Sequence, residues 1–238
     1  MDKTWSYDSL LPKLTKLSQR LGEVKIDYYQ KGNYPKYIFL TGTHGNENDV
    51  IASTGRAILK YLDRLPDFVY IPEVSPSGVS LNSRTNANGV DPNRTFFDGA
   101  IEPETICNMK VLQSLKCELL LTIHEDPELN DFYVYDSGDM TEDARWTNLK
   151  NEVLDLGVNL LNGLDDPTDP ALGLTFVDGY KPQTLLASNP VGMIETWCLQ
   201  KGIIKRTINP EIPGGLPQIL KDEIVEAVMR NFMVDPTR

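Results

Sequence analysis

The chain has 238 residues, enough for one α/β unit with a sizeable core. A formal net charge of −11 gives a surface that repels phosphate backbones and argues against a nucleic-acid partner. With 40% hydrophobic residues wholesale disorder is not expected, and three cysteines without a CxxC pair argue against both a disulfide framework and a structural thiolate zinc site.

The opening stretch, MDKTWSYDSLLPKLTKLSQRLG, has no apolar leader before a small-residue cleavage site. Its Leu10, Leu14, Leu17 and Leu21 fall at helical spacing and predict an amphipathic helix. YIFLTG (37–42) reads as a buried strand, and 49–65 as a helix with Ile51, Thr54, Ile58 and Leu62 on one face. FVYIPEV (68–74) is the next strand. The polar stretch 75–99, rich in Gly, Pro, Asn and Ser, reads as a loop longer than a connector needs to be.

Residues 102–116 read as a helix, with Glu102 and Pro103 in its first turn. CELLLTI (117–123) is a continuous apolar run, as expected of a strand covered on both faces. DFYVYD (131–136) is another strand, followed by a helix around 142–162 and a loop with several Pro and Asp. VGMIETW (191–197) reads as a strand and 216–233 as a closing helix. This alternation predicts one domain over 1–238. Its architecture is a three-layer α/β/α sandwich around a mainly parallel mixed sheet. No run is long enough to span a membrane, so no membrane partner is expected and the cytoplasm is the expected compartment.

The chain holds only two histidines, His44 and His124, each directly after an apolar run. In such sheets ligands bind beyond the carboxyl ends of the strands. His44, His124 and Glu195 all lie at or past the ends of predicted strands and are expected to converge. His44 and Glu47 sit three apart in one tight loop. With His124 they offer two imidazoles and one carboxylate, a set that suits an open zinc site with room for a water. The bare His44/Glu47 pair is weak evidence and would otherwise read as a solvated loop. In NSRTNANGVDPNRTF, Arg84 and Arg94 are two permanent cations suited to a carboxylate or a developing oxyanion. Asp91 can accept a hydrogen bond from a ligating histidine. Glu195, at the end of an apolar run, is costly to bury. Its pKa is expected to be raised, which suits a proton shuttle.

The conjunction of THGNE, NSRTNANGVDPNR, EPET, LTIHED and IETW, over about residues 37 to 197, resembles the zinc carboxypeptidase family in its short bacterial form. Among that form the murein peptide amidases are nearest by length and block order. The resemblance implies a carboxypeptidase-like fold and one Zn2+ ion held by His44, Glu47 and His124, the His2Glu set of carboxypeptidase A. It further implies Glu195 as the group that activates water, Arg84 as the oxyanion stabiliser, and Asn93 with Arg94 as the grip on a substrate carboxylate. Asp91 would orient the first histidine, and Tyr180 would close over the substrate. Two departures touch the substrate loop: SPSG (75–78) stands where the family has Asn-Pro-Asp-Gly, and Pro92 where it has a small or aliphatic residue.

The expected activity is therefore hydrolysis of an amide next to a free carboxylate in a small peptide. An N-acyl amino-acid deacylase of the aspartoacylase and succinylglutamate desuccinylase kind is the alternative, since it shares the HGNE signature; the long Asn/Arg block favours the peptidase. A non-catalytic zinc-binding module is a third reading, opposed by the presence of Glu195. No GxSxG, GxGxxG or P-loop motif occurs.

Overall fold

The computed structural model describes residues 6–10, 12–166, 173–184 and 192–234. The first two strands are β1 (Thr15–Leu21) and β2 (Val24–Lys31), paired antiparallel across a two-residue turn in which Gly22 takes φ +58°. The expected N-terminal helix is therefore corrected to a hairpin. The leucine steps of four, three and four fit a helix, but only Leu17 and Leu21 lie within β1, and their spacing of four equals two strand repeats as well as one helical turn. Part of that stretch, residues 1–5 and Leu11, lies outside the described residues.

The alternating core follows. Strand β3 (Tyr37–Leu40) leads to helix α1 (Asp49–Tyr61), and β4 (Phe68–Ile71) leads to a short helix α2 (Pro76–Leu81). The predicted 75–99 loop thus opens with a helix, with Ser75 at its N-cap accepting from Gly78 N. Helix α3 (Pro103–Leu112) carries Pro at its first position and precedes β5 (Leu119–Thr122) and β6 (His124–Asp126). Strand β7 (Tyr133–Asp136) and helix α4 (Ala144–Asp155) come next, then a small ribbon of β8 (Gly163–Leu164) with β9 (Thr175–Phe176), and β10 (Tyr180–Lys181). Helix α5 (Ile194–Gln200), strand β11 (Arg206–Pro213) and helix α6 (Gln218–Phe232) complete the described fold.

The predicted strand over 191–197 is corrected here: Val191 lies outside the described residues, and Ile194 to Trp197 belong to α5. A short apolar run reads alike as strand or buried helix, and only packing decides.

The main sheet runs β1-β2-β4-β3-β5-β11-β7-β10, with β6 also pairing β11. Pairs β3/β4, β3/β5, β5/β11, β6/β11 and β7/β10 are parallel, while β1/β2, β2/β4 and β7/β11 are antiparallel. The sheet is mixed and mainly parallel, as the sequence predicts.

Strand alternation divides the core into two layers. Phe39, Phe68, Tyr70, Leu121, Val134 and Ile208 pack with α1, α4 and α6. Ile38, Leu40, Val69, Ile71 and Leu120 turn to the other face and pack with α3 and α5. Helices thus cover both faces, the three-layer arrangement expected. Among the described residues no helix is long and apolar enough to cross a membrane.

Candidate metal centre

The loop after β3 is shaped by glycines. Gly42 takes φ +57°, and a Cβ there would come 2.8 Å from the Pro72 carbonyl oxygen. A Cβ on Gly45 would fall 1.9 Å from the backbone of Gly78 in α2, so the loop lies directly on that helix. Gly45 N also donates to Ser83 O at 2.8 Å. This seat fixes His44 on one side and Glu47, just before α1, on the other. A Cβ on Gly78 itself would meet Ser75 Oγ at 2.9 Å and the Ser83 and Thr85 carbonyl oxygens at 3.3 Å, so this position of SPSG is crowded by its own turn.

His124 is supplied by the far end of the β5–β6 run. The next residue, Glu125, points to the opposite face of the sheet. It accepts from Val50 N at 3.1 Å and from Lys221 Nζ at 2.5 Å, and that ammonium also reaches Asp49 at 2.7 Å. Lys221 and Glu125 are both buried, so each needs the other.

The three expected ligands converge. His44 Nδ1 lies 2.5 Å from Glu47 Oε1, and His124 Nδ1 lies 2.7 Å from Glu47 Oε2. All three side chains are buried, and their donor atoms lie within 4.8 Å of one another. Two neutral imidazole nitrogens and one carboxylate oxygen are the donor chemistry zinc prefers, so the residues fit that ion. Among the described residues no other group of His, Cys, Asp and Glu meets the same geometry.

A second ring of groups holds the first. His44 Nε2 lies 3.1 Å from Asp91 Oδ1, and Asp91 Oδ2 lies 3.1 Å from Arg84 Nη2. Arg84 Nη1 is 4.0 Å from Glu47. Asn93 N donates to Asp91 Oδ1 at 2.8 Å, and Asn93 Oδ1 accepts from Ile194 N at 2.9 Å. Pro92 begins the 3-10 turn Pro92–Arg94 that carries these groups, with Asp91 at its N-cap. Arg84, Asp91, Asn93 and Arg94 all line one cleft of about 440 Å³ with His44, Glu47 and His124.

Electrostatics follow from this packing. Burial opposes charge on both imidazoles, but the Glu47 carboxylate overrides it and raises their pKa values, that of His124 strongly. Burial likewise pushes Glu47 up, and the two imidazoles together pull it well below the usual carboxylate range. Asp91 is lowered in the same way, mainly by its bond to His44.

Two expectations need correction. Tyr180 does not line the cleft: its hydroxyl donates to Asp136 Oδ2 at 2.6 Å and accepts from Met140 N, and its ring packs on Trp146. It is a core residue tied to a buried acid. Glu195 is fully buried in the first turn of α5 and does not line the cleft either. Burial pushes its pKa up as expected, yet the nearby His124 outweighs burial and the net shift is downward.

Among the acids that do line the cleft is Glu211, which carried no expectation in the sequence. It sits on β11 in parallel register with His124 and opposite Tyr133 of β7. Burial pushes its pKa well above the ordinary glutamate range; His124 pulls the other way, and Glu47 and Asp126 add repulsion. Pro210 and Pro213 hid this strand, because proline is rare in a central one. The signal that remained was Thr207, Asn209 and Glu211 alternating with Ile208 and Ile212.

No protein-family model matches the chain. A stretch of 59 residues is 39% identical to murein peptide amidase A of Escherichia coli (strain K12), covering 25% of this chain and 24% of that relative. The chain thus matches only about a quarter of that relative's length. Among solved structures, a candidate metallopeptidase of Shewanella denitrificans superposes with a TM-score of 0.71 at 21% identity, over 95% of this chain and 87% of that one. The murein-tripeptide amidase of Escherichia coli O157 gives 0.60 at 18%, over 94% of each chain. A metallo-carboxypeptidase from Burkholderia cenocepacia gives 0.61 at 15%, over 93% of this chain and 65% of that one. With its mixed sheet covered by helices on both faces, this chain has the metallo-carboxypeptidase fold.

Proposed function

We propose that this protein is a zinc-dependent hydrolase, a metallopeptidase that cleaves an amide bond next to a free carboxylate in a small peptide. The observation that carries the reading is the convergence of His44, Glu47 and His124 in a cleft that also holds Glu211 and two arginines. The murein-tripeptide amidase with the same fold supports a short peptide as the substrate class.

When bound, the ion supplies Lewis acidity towards the scissile carbonyl and acidifies the attacking water. The chain's own residues supply the rest. Arg94 and the Nδ2 group of Asn93 grip the terminal carboxylate and set the register of the peptide. Asn93 is suited to this because its Oδ1 is already engaged by Ile194 N. The Glu211 carboxylate takes the proton of the attacking water and returns it to the leaving amine nitrogen. Its register beside His124 on the neighbouring strand places it for that work. Arg84, exposed at the rim, stabilises the negative charge that grows on the carbonyl oxygen. Asp91 holds His44 through Nε2, keeping Nδ1 turned towards Glu47.

The test is metal content measured together with hydrolysis of a panel of short peptides and N-acyl amino acids. Zinc at one ion per chain with turnover of peptides that end in a free carboxylate is the expected result, and His44→Ala should lose both. Turnover confined to N-acyl amino acids would replace the peptidase with a deacylase, and a protein that binds no zinc would remove both.

A further inference from the structure

We infer that Glu195 is a positioning residue for His124: a buried carboxylate behind the imidazole that fixes the ring with Nδ1 turned to Glu47. The inference rests on the metal-centre reading above and assigns Glu195 a part that reading does not use.

Glu195 is 0% exposed, and both its carboxylate oxygens lack a hydrogen-bond partner among the described residues. Buried carboxylate oxygens are almost always bonded, so this one calls for a reason. The nearest ring nitrogen is His124 Nε2, 3.8 Å from Oε1. On the other side of the same ring, Nδ1 is 2.7 Å from Glu47. His124 is therefore bracketed by two acids, one facing the cleft and one behind it.

His44 has the same layout, with Glu47 at Nδ1 and Asp91 at Nε2, there 3.1 Å away. One segment sets both rear acids. Asp91 belongs to it directly. Asn93 Oδ1 accepts from Ile194 N, and Phe96 N donates to Gly192 O at 2.9 Å, so the same segment anchors the start of α5, which carries Glu195. An imidazole that offers Nδ1 to an ion keeps its proton on Nε2, and a buried N–H without an acceptor is costly. Glu195 Oε1, 3.8 Å from Nε2, is the carboxylate oxygen placed to become that acceptor. A proton shuttle is a poorer role for it, because it has no face on the cleft.

Because the chain has two histidines, a ring-labelled sample gives two imidazole nitrogen spectra. The experiment compares Glu195→Leu, Glu195→Gln and Asp91→Asn with the unchanged protein, by zinc affinity in chelator competition and by those spectra. Glu195→Leu should weaken zinc binding by about 10–100-fold and shift the His124 signals while sparing His44. Asp91→Asn should do the reverse. Glu195→Gln keeps an acceptor oxygen and should recover most of the affinity and keep measurable turnover. A folded Glu195→Leu protein with unaltered zinc affinity and unaltered His124 signals overturns the inference. Should that variant not fold, the zinc-loaded unchanged protein decides: a His124 Nε2–H that exchanges slowly supports it, and one that exchanges freely with solvent overturns it. Failure of the unchanged protein to bind zinc instead removes the underlying metal reading, and this inference with it.

Discussion

Glu211 on β11 is the register partner of His124 on β6, so a carboxylate and an imidazole stand side by side on one face of the sheet. Adjacent strands impose this neighbourhood, and it does not depend on a flexible loop. Glu211→Gln should therefore keep zinc and lose about 10²–10⁴-fold in kcat. Glu195→Gln should fall much less. Metal stoichiometry and steady-state kinetics on the two proteins check the split, and equal losses would return Glu195 to the catalytic role the sequence suggested.

Protonation of Glu211 gives a pH signature in the metal-free protein. Its folded-state pKa is raised above the ordinary value of 4.5, so the folded chain holds the proton more tightly than the unfolded one. The associated stability is fully present below 4.5 and is lost as pH rises through the folded value. Glu211→Gln removes that loss. In thermal unfolding without metal, the variant should gain on the unchanged protein as pH climbs from acid to mildly alkaline, and the gap should close again below 4.5. A gap independent of pH would contradict the assignment.

Tyr180→Phe separates a core role from a substrate role. It removes one donor from Asp136, which is 0% exposed and also bound by Arg206 and Gly138 N. The cost is expected at about 1–3 kcal/mol of stability. KM for peptide should not move. Chemical denaturation and kinetics on the same sample read both quantities, and a raised KM with unchanged stability would favour the substrate role.

Gly45→Ala should disturb the centre without touching a ligand. Its new methyl would meet Gly78 backbone atoms at 1.9 Å, and backbone cannot give way as a flexible side chain does. The loop must shift, and His44 and Glu47 shift with it. Weakened zinc binding in a protein that keeps its helical circular dichroism is the expected result.

The legible part of the site was local. His44 with Glu47, and Arg84, Asp91, Asn93 and Arg94, sit in compact motifs after recognisable strands, and the structure brings these residues to one cleft. Glu211 belongs to a strand whose two prolines mask it, and its relation to His124 exists only through pairing between residues 87 positions apart, 211 less 124. Glu195 took the role from the resemblance of its IETW block, with the apolar run before it as support, and that run proved to be the start of a helix. The sheet's alternating centre was readable from buried apolar runs. Its edge hairpin was not, because β1 is largely exposed and leaves little period to detect.

The ion triad of Lys221, Glu125 and Asp49 has a consequence for how the molecule comes together. Every proposed ligand has left the ribosome well before Lys221 has, yet the buried carboxylate adjoining His124 has no counter-charge until that lysine docks. The strand end that carries His124 is thus braced only when α6 docks, and a nascent chain stalled short of α6 should hold its metal poorly however well its sheet has formed.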